Sequence, residues 1–185
     1  FDRENPIDLL IANAGIGHGT GKYLMERPEQ THELSMINVI GVSNTVMPII
    51  NRMAARGRGQ IALMASVAGF AAVTQSPSYA ATKAYVKHWG EALHGRLKPF
   101  GVEVTTICPG YVKSAMTDAN RFKMPFLMET DRAVDIMVRG MEAGKARVAF
   151  PWQITWPVGL ASVLPSFIAT RLNSLKRKPK LPPID

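Results

Sequence analysis

Apolar residues fall along this chain in two alternating kinds of run. Short, nearly continuous runs stand at 7–12 (IDLLIA), 60–65, 102–108 and 147–150, each bounded by glycine, proline or polar residues. Such runs predict strands buried on both faces, as in a parallel sheet covered by helices. Between them, apolar positions recur at helical spacing. Over 28–55, Leu34, Ile37, Ile40 and Gly41 share one face that Val46, Ile49, Ile50 and Met53 continue. Over 77–98, Ser76-Pro77-Ser78 supplies a hydroxyl cap and an early proline, and Ala80, Ala81, Lys83 and Ala84 follow as helix formers. A third helix is predicted over 129–143. Strand alternating with helix predicts an α/β fold built on a parallel sheet. Residues 1–150 read as part of a single domain and 151–185 as an apolar and basic extension, since 185 residues are too few for two domains.

Composition narrows the picture. An apolar content of 46% suits a globular chain, and the single cysteine, Cys108, excludes an intrachain disulfide. Its place in an apolar run predicts a buried small hydrophobe. A reducing, cytoplasmic setting is therefore expected, with neither a signal segment nor eighteen uninterrupted apolar residues to suggest otherwise. The net charge of +8 is uneven, because the last fifteen residues hold five basic side chains against one Asp. No nucleic-acid recognition motif accompanies that charge, so no nucleic-acid partner is expected. Before the basic run at 176–180, the extension carries Trp152, Trp156, Leu160, Val163, Leu164, Phe167, Ile168 and Leu172. Two readings stand for it. One is peripheral contact with an anionic membrane surface; the other is a helix packed on the core or on a partner subunit, with a solvated basic end.

Candidate chemistry gathers between Ser66 and Lys83. Ser66 closes a predicted strand, and Tyr79 and Lys83 stand four apart on the helix that follows. At that spacing their Cβ atoms lie about 5–6 Å apart on a common face. An ammonium so placed is expected to lower the phenol's pKa, which suits an acid or base working near neutral pH. The serine can then orient a carbonyl or hydroxyl. Elsewhere, Gly15, Gly17, Gly19 and Gly21 form a loop that lacks the Lys-Ser/Thr ending of a phosphate loop. His88 and His94 point about 240° apart around one helix, so no metal site is expected.

The order Asn13-Ala14-Gly15, Asn38, Ser66, Tyr79, Lys83, Pro109-Gly110 resembles the short-chain dehydrogenase/reductase family. The gaps of 28, 13 and 4 residues between Asn38, Ser66, Tyr79 and Lys83 match its pattern, and the likeness runs over about 7–150. It implies a Rossmann-like, doubly wound parallel sheet. It implies catalytic Asn38, Ser66, Tyr79 and Lys83, with Asn38 holding a water against the lysine. It also implies NAD or NADP held by Asn13, Ala14, Gly15, Tyr79, Lys83, Pro109, Gly110, Val112 and Ser114. Ala12, where the family often has Asn, is a departure. The resemblance further implies that the first three strands and the glycine-rich pyrophosphate turn are absent from this chain, which begins at Phe1. The residues that would choose between NAD and NADP are absent with them.

By this resemblance the expected activity is hydride transfer between a nicotinamide and a small-molecule carbonyl or secondary alcohol. The contrasting reading is a non-catalytic, truncated relative that serves as a binding or regulatory partner. Helices 28–55 and 77–98 match those through which the family pairs subunits, so a homodimer or homotetramer is expected. The apolar stretch 115–128 stands where such enzymes carry a substrate lid; it fits an apolar substrate or a lid that packs on closing.

Overall fold

The computed structural model describes residues 2, 4–21, 23–118, 122–165 and 168. The basic run at 176–180, Phe167 and Leu172 lie outside these. Four parallel strands, β1 (Leu9–Ala12), β2 (Gly59–Met64), β3 (Val102–Pro109) and β4 (Arg147–Phe150), lie in sequence order. Their registers pair Leu9 with Gln60, Gly59 with Val102 and Thr106 with Arg147. The connections hold α1 (Pro28–Ser35) and α2 (Val42–Arg56), then α3 (Pro77–Leu97), then α4 (Ala115–Asp118) and α5 (Thr130–Glu142); α6 (Trp152–Ser162) follows β4.

Strand alternation divides the core in two. Ile61 and Leu63 of β2 join Val102, Val104 and Cys108 of β3 against Val46, Ile49 and Met53 of α2 and Val86 of α3. Ala62 and Ile107 point the other way, onto Ala133, Ile136 and Met137 of α5, with Val148 and Phe150 of β4. Helices thus cover both faces. The second face is uncovered over β1, where Leu9 and Ile11 are 46% and 50% exposed. Cys108 is buried, as its apolar run predicted, and burial pushes its thiol up to about 12. Its pKa keeps it a neutral thiol near pH 7.

The predicted helix over 28–55 is not one α-helix. Residues Met36–Gly41 form a π-helical turn between α1 and α2. The inward positions are Leu34, Asn38, Val42 and Val46, each four apart, and all are buried. In a regular α-helix a spacing of four drifts by about 40° per step, so four such residues would spread over about 120° of the circumference. The wider π turn absorbs the drift. Ile40, expected inside, is instead exposed, and Asn38 replaces it in the interior.

Two other expectations change. Strand β1 is shorter than 7–12, beginning at Leu9. Ser76 is the N-cap of α3, but its hydroxyl makes no cap hydrogen bond. The buried carboxylate of Glu26 does that work, accepting from the Ser78 amide at 3.3 Å. A carboxylate serves well there because the helix N-terminus carries partial positive charge.

Asp2 ties β1 to the end of α2. Its carboxylate accepts from the Ile7 amide at 2.9 Å and pairs with Arg52 (3.3 Å) and Arg56 (3.1 Å), while Arg56 also donates to the Ile7 carbonyl at 2.8 Å. The Ile7 amide does most to hold the carboxyl below its ordinary 3.8; burial opposes it, and Arg56 and then Arg52 add to the lowering. A depressed folded pKa gives stability that is present above the unfolded value and lost as pH falls through the folded one. Asp2→Asn is therefore expected to shift the urea midpoint downward near neutral pH and to leave it unchanged in strong acid. A shift of equal size at both pH values would show that the carboxylate's charge plays no part.

Candidate active site

Ligands of open α/β sheets bind outside the carboxyl ends of the strands. Asn13, Ala14 and Gly15 follow β1, Ser66 lies two residues past β2, and Pro109-Gly110 ends β3, so three of the sequence-predicted groups meet at that one rim. The other members, Tyr79 and Lys83, reach it from the first turns of α3.

Ser66 is in extended conformation and caps a short 3₁₀ turn, Val67–Phe70, by accepting from the Ala68 amide at 3.1 Å. Its hydroxyl stands 3.5 Å from the Pro109 carbonyl and lies near enough to the Tyr79 phenol to favour the phenol's ionised form. The turn lies directly on α3. A Cβ added at Gly69 would stand 2.6 Å from the backbone carbonyl of Lys83 and 2.8 Å from the Ala84 nitrogen. Only glycine permits that approach, and the approach sets serine against tyrosine.

Lys83 is buried beneath this turn, and its Nζ donates to the Met64 carbonyl at the end of β2, 2.9 Å away. The same Nζ lies 5.8 Å from the centre of the Tyr79 ring. Burial lowers the ammonium to about 8. The expected depression of the tyrosine is not what this geometry produces. Burial pushes the Tyr79 phenol above its ordinary 10.0, the nearby Ser66 hydroxyl pulls it back in part, and Tyr111 adds a little to the rise. Desolvation of a phenolate outweighs an ammonium that is itself desolvated and aimed at a carbonyl.

Asn38 does not face solvent. Its side chain accepts from the Ile16 amide (2.8 Å) and donates to the Ile16 carbonyl (2.9 Å) and to Thr82 Oγ1 (3.1 Å). It thus clamps the loop after β1 to α3. A Cβ on Gly15 would stand 3.1 Å from Lys83 Nζ and 3.2 Å from Asn38 Oδ1, so both side chains converge at this glycine. Every hydrogen of the Asn38 amide and its oxygen has a protein partner.

The remaining predicted contacts line the far side. Val112 forms a parallel bridge with Met128, and the Lys113 amide donates to the Met128 carbonyl at 3.0 Å, which pins the base of the stretch 115–128. Ser114 is exposed at the start of α4 and its hydroxyl accepts from the Thr117 amide at 3.3 Å. Tyr111 meets Phe122 edge-on at 6.0 Å, and Met116 stands over Gly17 beside Tyr79. Thr82, Glu26 and Gly69 were not anticipated. Thr82 carried a faint signal as a mid-helix threonine between Tyr79 and Lys83; the other two depend on contacts between distant segments. Among the described residues no three His, Cys, Asp or Glu gather as metal ligands.

Residues 2–124 match the family model described as short chain dehydrogenase. An uncharacterized oxidoreductase of Myxococcus xanthus is 41% identical over 160 residues, a match that covers 86% of this chain and 63% of that protein. An uncharacterized oxidoreductase of Mycobacterium tuberculosis is 32% identical over 177 residues, covering 92% of this chain and 67% of that one. The chain therefore spans about two thirds of these relatives' length. Among solved structures, a short-chain dehydrogenase from Sphingobium yanoikuyae in complex with NADPH superposes with a TM-score of 0.73 at 25% identity, covering 88% of this chain and 67% of that one. The sheet with its two layers of helices is thus a Rossmann-like α/β fold. Matched over most of its length and carrying these motifs at the strand ends, the chain belongs to the short chain dehydrogenase family.

Proposed function

We propose that the protein is an NAD(P)-dependent oxidoreductase that interconverts a carbonyl and a secondary alcohol, with Tyr79 as general acid and base. The observation that carries this reading is the buried Lys83, its Nζ 5.8 Å from the centre of the Tyr79 ring, with the Ser66 hydroxyl beside that phenol at the rim of the sheet. The residues present fit a nicotinamide: the side chain missing at Gly15 leaves Lys83 Nζ approachable from the rim, and the exposed Asn13 and Ala14 leave that side of the crevice open. Asn13, Ala14, Gly15 and Lys83 would hold it from one side, and Pro109, Gly110, Val112 and Ser114 from the other. When bound, the nicotinamide supplies or accepts the hydride.

The chain's own contribution is placement and proton management. Ser66 orients the substrate oxygen with the hydroxyl it now turns to Tyr79. In reduction, the phenol donates its proton to that oxygen as charge develops there. Its raised pKa keeps it loaded as the acid. Lys83 stabilises the phenolate left behind, since an opposite charge nearby favours the ionised form. Asn38 keeps Ile16 and Thr82, and through them the loop and the helix, in register. Exposed Met36, Ile40 and Met47 along the first helical stretch, with Tyr85 on α3, offer an apolar face for a homodimer or homotetramer.

The test is nicotinamide turnover by the intact protein with a panel of ketones, aldehydes and secondary alcohols. Lys83→Ala is expected to lower kcat by about 10²-fold or more and to weaken cofactor binding as well. Tight dinucleotide binding without turnover on any carbonyl or alcohol would reject the catalytic reading in favour of a binding role.

A further inference from the structure

Helix α6 has two unlike faces. Inward, Val158 and Ala161 line a groove of about 270 Å³ with Ala72 and Val73, and Ile154 lies so close to Gly110 that a Cβ there would be 3.3 Å from its Cδ1. Outward, Trp152, Trp156, Leu160 and the C-cap Val163 are 68%, 76%, 67% and 76% exposed. At about 100° per residue these four fall within about 80° of arc, opposite Ile154, Val158 and Ala161. The inner face thus turns to the protein and the outer stripe does not.

The sequence around the stripe says what would cover it. No charged residue stands between Phe150 and Arg171, and the last fifteen residues then carry five basic side chains against one acidic. A protein partner for such a stripe needs no cations beyond it; an anionic bilayer attracts them directly. Indole rings favour the headgroup boundary, where one edge is wet and the other apolar. Pro157 stands within α6 and Pro165 just beyond it, which suits lying in the boundary better than crossing it.

We propose that α6 docks the protein on an anionic lipid surface, with the Trp152, Trp156, Leu160 and Val163 stripe in the headgroup boundary and the cations at 176–180 against the lipid charges. This assignment stands on the stripe and the charge, and does not depend on the catalytic reading.

The experiment mixes the intact protein with phosphatidylcholine vesicles, with and without phosphatidylserine, and reads the sedimented fraction and the tryptophan emission. Binding with a blue-shifted emission is expected on the phosphatidylserine vesicles and should weaken steeply with added salt. Lys176→Ala combined with Lys178→Ala, at a factor of about five per cation, should lower partitioning roughly 25-fold. Trp152→Glu combined with Trp156→Glu should remove the blue shift and lower partitioning at least about tenfold. Both tryptophans are exposed, so an unchanged circular dichroism spectrum will show that the fold survives. Failure to bind phosphatidylserine vesicles, or binding that neither pair of substitutions weakens, would overturn the proposal. Self-association without lipid that Trp152→Glu with Trp156→Glu abolishes, and no lipid binding, would assign the stripe to a second copy of the chain.

Discussion

Replacing Tyr79 by phenylalanine in the intact protein is expected to lower kcat by about 10²–10⁴-fold while leaving nicotinamide affinity within a few-fold. The change deletes one hydroxyl, the group beside Ser66, and leaves the ring and its distance from Lys83 in place. Its structural cost is at most that of one hydrogen bond, about 1 kcal/mol. Activity and stability should therefore separate. A pH profile sharpens the test. Burial keeps the phenol protonated, so reduction by the parent enzyme should hold up through neutral pH and fall only on the alkaline side. That alkaline limb should vanish from whatever residual rate Tyr79→Phe retains. Near-parental turnover by the variant would reject Tyr79 as the proton donor.

The second large effect is expected at Gly69, a residue that touches no reactant. A methyl group there meets backbone atoms of Lys83 and Ala84, which cannot swing aside as a side chain would. Gly69→Ala should cost about 1–3 kcal/mol through overpacking. It should also lower kcat by about a hundredfold, because relief can come only by lifting the Ser66 turn off α3, and misplacement by about 1 Å has that order of effect. Gly95, in α3, provides the control, since nothing lies within 4 Å of an added Cβ. Gly95→Ala should be neutral or should stabilise by up to about 1 kcal/mol. Thermal melts of the two variants side by side measure the first effect and turnover at a permissive temperature the second. Equal behaviour of the pair would show that the approach of turn and helix is not what fixes the site.

The four strands were legible because a strand buried on both faces writes an unbroken apolar run, and β2, β3 and β4 begin and end within a residue or so of those runs. Tyr79 and Lys83 were legible for an equally local reason, their spacing on one helix. What lay beyond the sequence were relations between segments far apart in it. The Ser76 hydroxyl was a reasonable cap, but Glu26, 52 residues before the amide it accepts from, reached the position instead. Lys83 was expected to depress the tyrosine; whether a phenol gains more from a cation than it loses by burial depends on where Met64 O draws that cation. Asn38 reads as a polar residue in an apolar helix, which locally favours the surface. Only the loop at Ile16 and the hydroxyl of Thr82 make its burial affordable.

The π turn at Met36–Gly41 gives that last point a genetic consequence. It works as a phase adjuster between two commitments of one helical stretch: upstream, Asn38 must face the loop after β1; downstream, Val46, Ile49 and Met53 must face the sheet. Straightening the turn into regular α-helix at unchanged length would rotate one commitment against the other by about 100°, whereas losing one residue would let the helix straighten with both nearly in phase. Substitutions can drift freely at its exposed positions, whereas length is confined to two values. Homologues of this chain should therefore show, around Asn38, either the full turn or a gap of one residue, and no other change of length.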